Sequence, residues 1–128
     1  MIEALVKVGI WSSVNARGGL NADMEAMALS HGEKQLLSFA RAMLNKSTIL
    51  LLDEATSSLD TATDAMVQGL IHEEFKDHTV IAVAHRLSNI MQSDKIALLD
   101  RGCLVAYDTP ASLLAECPEF KDLYGSLT

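Results

Sequence analysis

A run of four aliphatic residues that ends in two acids constrains the fold of this chain more than any other feature. The run is Ile49–Leu52, and Asp53 and Glu54 follow it directly. Consecutive branched aliphatic residues are typical of a strand buried on both faces of a parallel sheet. Ligands of α/β proteins bind at the carboxyl ends of such strands. The acid pair therefore predicts a site that can hold Mg²⁺ and orient or deprotonate a water molecule, whereas two solvated acids are the simpler alternative.

A turn that opens a helix precedes this strand. Ser30 and Glu33 form a Ser-x-x-Glu pattern, which is typical of a helix capping box. The first N–H groups of a helix lie at the positive end of its dipole and favour anions such as phosphate. A helix is predicted over 32–45, because apolar residues recur there at three- and four-residue spacing. These residues are core candidates: Leu36, Leu37, Phe39, Ala40, Met43 and Leu44.

Downstream of the strand, helical and extended patterns alternate. A helix is predicted over 61–75, with Thr61 and Asp64 as its cap pair, and Thr109 is the predicted cap of a helix near Pro110. The remaining predicted elements are a buried strand over 79–84, a helix over 87–91, a strand over 95–99, a return strand over 103–107 and helices over 111–115 and 118–123. This alternation favours an α/β fold, with a mainly parallel sheet, flanking helices and right-handed crossovers.

The N-terminal part of the chain is less regular. Residues 1–11 are predicted to form a short amphipathic helix that ends at Gly9. Its predicted apolar side consists of Ile2, Leu5, Val6 and Val8. Residues 12–28 show poor periodicity around the Gly18-Gly19 turn, so they are predicted to be loop-rich and to face the surface.

Composition narrows the class of protein. A chain of 128 residues has room for one domain, and its net charge of −7 argues against general nucleic-acid binding, which needs clustered Lys and Arg. Cys103 and Cys117 lack metal-ligand spacing, so they are expected to be reduced thiols of a cytosolic protein. No apolar run approaches the roughly 18–20 residues that cross a bilayer.

Four motifs of the chain, in this order, resemble those of ABC ATPases. Leu29–Glu33 resembles the signature motif, normally Leu-Ser-Gly-Gly-Gln, and Ile49–Glu54 resembles a Walker B strand with its following glutamate. Ser58–Asp60 resembles the D-loop, and His85 resembles the switch histidine. The similarity extends over essentially the whole chain. The chain most resembles the second nucleotide-binding domain of the multidrug-resistance-associated (C) subfamily of ABC transporters.

This resemblance implies a partial P-loop NTPase (RecA-like) domain that uses ATP and Mg²⁺. The motif Gly-x-x-x-x-Gly-Lys-Ser/Thr, which cradles the phosphates in such proteins, does not occur in the sequence. The chain is therefore expected to lack the Walker A strand and loop. Residues 1–28 would be a remnant of the helical subdomain, and 29–128 would carry the signature, Walker B, D-loop, switch histidine and C-terminal part.

The resemblance also assigns roles at the hydrolytic site. Glu54 corresponds to the general base or polariser for the attacking water, and His85 corresponds to the residue that contacts the γ-phosphate. Asp53 corresponds to the acid that holds Mg²⁺ through the waters of the ion. His72 and His78 match no motif and are expected to face solvent.

A second group of residues is implied to act across a subunit interface. Ser30, His31, Gly32 and Glu33 correspond to the signature residues that meet ATP held by the opposite subunit, and Ser58 and Asp60 correspond to the D-loop at that interface. His31 and Glu33 depart from the usual glycine and glutamine. We expect both to weaken the grip on ATP, since a carboxylate repels phosphate and a side chain limits close backbone approach.

The function implied is that of the C-terminal segment of an ATPase domain that drives export of organic solutes. Its partners would be the opposite nucleotide-binding domain and the transmembrane domains of the same transporter, at the cytosolic face of a membrane. The isolated chain is expected to be inactive as an enzyme. One alternative is a truncated, non-catalytic module that supplies only a signature and dimerisation face. A chromosome-maintenance ATPase is disfavoured, because no coiled-coil heptads flank the motifs.

Overall fold

The computed structural model describes residues 1–53, 56–83 and 87–127 of the chain. The chain divides into two compact units, 1–83 and 84–128. Glu54 and His85, the two predicted catalytic residues, lie outside the described residues.

The N-terminal unit places helices around a pair of parallel strands. Its elements in chain order are α1 (Ile2–Lys7), α2 (Trp11–Ala16), a 3₁₀ turn (Gly19–Asn21), α3 (His31–Met43), β1 (Ile49–Asp53), α4 (Thr61–Glu74) and β2 (Thr79–Val83). Strands β1 and β2 pair in parallel, with Ile49 opposite Thr79 and Asp53 opposite Val83. Helix α4 connects them, as the alternating pattern predicted.

Helix α2 and the 3₁₀ turn correct the prediction that residues 12–28 are only loop-rich. Helix α2 has six residues, of which only Val14 is buried. One buried position cannot produce a visible apolar period, so the pattern missed the helix. Gly18 then reverses the chain with φ = +106°, a value that favours glycine.

The core of the N-terminal unit forms where α1, α3 and α4 meet. Its ring pair, Phe39 and Phe75, has centroids 5.7 Å apart. The buried residues of this core are Ala4, Leu5, Val8, Ile10, Val14, Met27, Leu29, Leu36, Phe39, Ala40, Leu50, Leu59, Val67 and Phe75. The predicted apolar side of α1 is partly wrong, because Ile2 and Val6 remain 44% and 56% exposed.

The two parallel strands are much more exposed than their sequences predict. In β1, Leu50 is buried and Leu52 is half-buried against the core, whereas Leu51 is 71% exposed. Every residue of β2 is exposed, including Ile81 at 55%. The predictions that β1 is buried on both faces and that β2 is buried are therefore wrong for this chain. One face of β1 packs on helices, and its other face remains open.

The described part of the C-terminal unit, residues 87–127, contains a hairpin and three helices. Its elements are α5 (Leu87–Met91), β3 (Ile96–Asp100), β4 (Cys103–Asp108), α6 (Pro110–Glu116) and α7 (Pro118–Leu127). Strands β3 and β4 are antiparallel, which confirms the predicted return strand. The side chain of Thr109 caps α6 by accepting from Ser112 N at 3.2 Å, as predicted. Leu113, Cys117 and Phe120 form the small core of this unit.

Among the described residues, no helix is both long enough and apolar enough to cross a bilayer.

Candidate functional site

The predicted signature turn, residues 29–33, forms a complete capping box at the start of α3. Ser30 Oγ accepts from Glu33 N at 3.2 Å, and Ser30 N donates to Glu33 Oε2 at 2.8 Å. Ser30 is exposed, not buried in the core. Because its oxygen acts as the acceptor in the cap, the hydroxyl hydrogen can still donate to an anion at the mouth of the helix.

Glu33 is held by side chains of α2 and the residue that follows it. Ser13 Oγ donates to Glu33 Oε1, and Arg17 Nη1 lies 3.1 Å from Glu33 Oε2. The hydrogen bond from Ser13 contributes most to lowering the pKa of Glu33 to about 2, followed by those from Ser30 N and Arg17. The carboxylate thus remains charged, but Arg17 offsets part of the repulsion that the sequence analysis expected towards phosphate.

Ser13 and Arg17 are neighbours of the signature turn that no sequence pattern predicted. Ser13 lies 20 positions and Arg17 lies 16 positions from Glu33. No local pattern connects residues at such separations. The one signal that could have linked these two residues is a predicted helix at α2, because a helix there would place Ser13 and Arg17 on one face, four residues apart.

The predicted D-loop contacts the signature turn within the same chain. His31 Nδ1 lies 3.1 Å from Ser58 Oγ. One helical turn later, Gln35 Oε1 accepts from Ser58 N and Gln35 Nε2 donates to Ser57 Oγ, both at 3.2 Å. A Cβ atom on Gly32 would lie 3.3 Å from Ser58 O, which explains why glycine suits this position. The structure therefore brings two predicted motifs together.

Asp60 is the N-cap of α4. Its Oδ1 accepts from Ala62 N and Thr63 N, each at 3.1 Å, and its Oδ2 accepts from Thr63 Oγ1 at 2.7 Å. The side-chain hydrogen bond from Thr63 is the main reason that the pKa of Asp60 is lowered. The predicted cap pair of Thr61 and Asp64 is wrong, because Asp64 is buried at 5% exposure and Asp60 already supplies the cap.

Asp53 ends β1 at a cleft that it shares with α3. The cleft has a volume of about 390 Å³, and Asp53, His31, Lys34 and Arg41 contribute its charged or titratable lining. Lys34 and Arg41 give one wall a positive charge, which suits an anionic ligand. No group of three or more His, Cys, Asp and Glu side chains that could hold a metal ion occurs within the described ranges. Among the described lining residues, Asp53 offers a carboxylate oxygen of the kind that Mg²⁺ prefers, and a single carboxylate suits contact through the waters of the ion.

A larger cavity of about 500 Å³ lies between the N-terminal helices and α3. Its lining is mostly apolar and includes Met1, Leu20, Met24, Met27 and Leu37. None of the described residues predicted for the site lines this cavity, so the candidate site is the cleft and the turn beside it.

Comparisons with known proteins identify a family. Residues 3–57 match the profile of a family described as "ABC transporter". The chain is 42% identical over 127 residues to the "ABC multidrug transporter B" of Aspergillus fumigatus, a match that covers 98% of this chain and 9% of that protein. It is 50% identical over 88 residues to the "Bile pigment transporter 1" of Saccharomyces cerevisiae, covering 69% of this chain and 6% of that protein. The chain thus spans less than a tenth of these curated relatives.

A solved structure matches the chain over nearly its full length. It is described as a bacterial Atm1-family ABC exporter with ATP bound. The TM-score is 0.82 at 32% identity, and the match covers 98% of this chain and 22% of the exporter chain.

Proposed function

We propose, from the premise that this chain is part of an ABC transporter nucleotide-binding domain, that it is the C-terminal segment of an ATPase domain that powers solute export. The finer assignment is to the second nucleotide-binding domain of a multidrug-resistance-associated (C) subfamily transporter. Similarity to a bile pigment transporter supports that assignment. The proposed partners are the opposite nucleotide-binding domain and the transmembrane domains, at the cytosolic face of a membrane.

The observation that carries this proposal is the exposed hydroxyl of Ser30 at the N-terminus of α3. Glu33 N uses the Ser30 oxygen as an acceptor, so the hydroxyl hydrogen can donate to the γ-phosphate of ATP held by the opposite subunit. The N–H groups of the first helical turn add positive potential there. Gly32 lets the loop over 58–59 pack closely beside this turn.

We assign the hydrolytic roles to Asp53, at the end of β1, and to residues that follow it in the sequence. Asp53 would hold Mg²⁺ through its waters, and the ion would supply charge neutralisation of the phosphates. Glu54 would act as the general base for the attacking water, and His85 would contact the γ-phosphate. These two assignments depend on the sequence motifs, since both residues lie outside the described part of the structure.

The isolated chain is proposed to have little ATP affinity and no hydrolytic activity. It has no phosphate-cradling Walker A motif. The exposed aliphatic side chains of β1 and β2, with Leu51 at 71% and Val83 at 57%, also favour additional protein against this face of the strands. ATP titration of the isolated chain, followed by calorimetry, is expected to give no saturable binding below the millimolar range. Nanomolar-to-micromolar binding would overturn this part of the proposal.

The catalytic assignment is tested in the complete transporter that contains this segment. Glu54→Gln is expected to abolish ATP turnover while ATP binding is retained, because the amide cannot accept the proton of the attacking water. Glu73→Gln is the matched control, since Glu73 is an exposed acid on α4. Normal turnover of the Glu54→Gln protein would remove Glu54 from the proposed role. Failure of the complete protein to hydrolyse any nucleotide would favour the non-catalytic module instead.

A further inference from the structure

We infer that His31 is a positioning residue that fixes the D-loop of its own chain (residues 58–60) against the signature turn (residues 29–33). The two segments are separated in sequence by the rest of α3 and by β1. His31 and Ser58 connect them directly, with His31 Nδ1 and Ser58 Oγ 3.1 Å apart.

A second contact on the same face of α3 supports this inference. Gln35 lies four residues after His31, so the two side chains project from one face of the helix. Gln35 accepts from Ser58 N and donates to Ser57 Oγ, each at 3.2 Å. His31 therefore completes a set of three hydrogen bonds that clamps two consecutive serines to α3.

The remaining contacts of this loop leave it little freedom to move away. Leu59 is 8% exposed and belongs to the core of the N-terminal unit. Asp60 is held as the cap of α4 by Ala62 and Thr63. Ser58 directly precedes these two anchored residues, so the bond between its side chain and His31 connects the anchored loop to the signature turn.

The histidine side chain is essential to this link. A glycine at position 31, as in the usual signature motif, has no side chain with which to bond Ser58. The departure of His31 from the motif therefore adds an intrachain bond at the same position where it limits backbone approach to a ligand. The link itself does not depend on the proposed function. Only its purpose does, which is to hold two ATP-contacting segments in a fixed position relative to each other.

Amide hydrogen exchange and nitrogen NMR of the isotope-labelled chain, without nucleotide, test the inference. His31→Ala is expected to speed exchange of the Ser58 and Leu59 amides by about 3–10-fold, the range that corresponds to loss of one net hydrogen bond. His72→Ala is the matched control, because His72 is an exposed histidine on α4, and it should leave both rates unchanged. His31→Gln should restore most of the protection, since a carboxamide can also bond the serine hydroxyl.

A reciprocal measurement keeps the inference testable if His31→Ala unfolds the chain. Ser58→Ala is expected to shift the Nδ1 resonance of His31 and to leave the ring nitrogens of His72 in place. The inference is overturned if the Nδ1 resonance of His31 does not respond to Ser58→Ala. It is also overturned if His31→Ala and His72→Ala give equal exchange rates at Ser58. Because no ATP is present, a negative result here is independent of the ATP-binding proposal.

Discussion

The signature turn and the strand pair of the N-terminal unit differ in whether their side chains find partners within this chain. In the turn, the side chains of Ser30, Glu33 and His31 all have hydrogen-bond partners within the chain. In the strand pair, aliphatic side chains such as Leu51 and Ile81 remain more than half exposed. The polar turn is therefore self-contained, whereas the strands carry an apolar face that this chain alone does not bury.

The largest expected effect is on the free energy of unfolding, when a substitution on the packed face of α3 is compared with one on the open face of β1. Phe39→Ala should lower the free energy of unfolding by about 3–5 kcal/mol, because Phe39 is 6% exposed and packs on Phe75. Leu51→Ala, at a position that is 71% exposed, should change it by no more than about 0.5 kcal/mol. Urea denaturation followed by circular dichroism measures both. Equal losses in the two variants would mean that the strand face is covered in solution.

An intermediate effect is expected from adding a methyl group at two helical glycines. A Cβ atom on Gly32 would lie 3.3 Å from both Ser58 O and Leu59 Cδ2, whereas one on Gly69 would meet nothing within 4 Å. Gly69→Ala should stabilise the chain by about 0.5–1 kcal/mol through helix propensity. Gly32→Ala should be less stable than Gly69→Ala by about 1 kcal/mol or more, because the loop must shift. Thermal unfolding compares them, and equal gains would show that the turn and loop are not closely packed.

The smallest expected effect is the pH dependence that Glu33 contributes. Its pKa is lowered from 4.5 to about 2 in the folded chain, so between these values the unfolded chain binds more protons at this group. Its stabilising contribution is thus fully present above pH 4.5 and is lost as the pH falls through about 2. Glu33→Gln should flatten this part of the stability profile. Glu25→Gln, at an exposed acid outside the cluster, is the control. Unchanged curvature in Glu33→Gln would contradict the contacts with Ser13 and Arg17.

Local sequence patterns predicted single elements of the fold better than the contacts between distant segments. The capping box of Ser30 and Glu33, the parallel pairing of β1 with β2 and the Thr109 cap depend on neighbouring residues or on short periods, and the structure confirms them. The contact of Glu33 with Ser13 joins residues 20 positions apart, and no local pattern predicts which distant segments pack together.

The burial of the strands was wrongly predicted for a different reason. Four consecutive aliphatic residues correctly predicted the strand Ile49–Asp53 but wrongly predicted cover on both of its faces. The aliphatic pattern is suited to a larger assembly, in which additional protein lies on the open face. Burial therefore could not be predicted from this segment alone, because it depends on residues that the segment does not contain.

The capping role of Asp60 has a consequence for docking of the opposite subunit that we propose. Both carboxylate oxygens already accept hydrogen bonds at the start of α4. A partner that draws this side chain across an interface must leave the amides of Ala62 and Thr63 without their acceptor. The first turn of α4 would then fray as the partner arrives, so its helicity would report subunit association from inside a single chain.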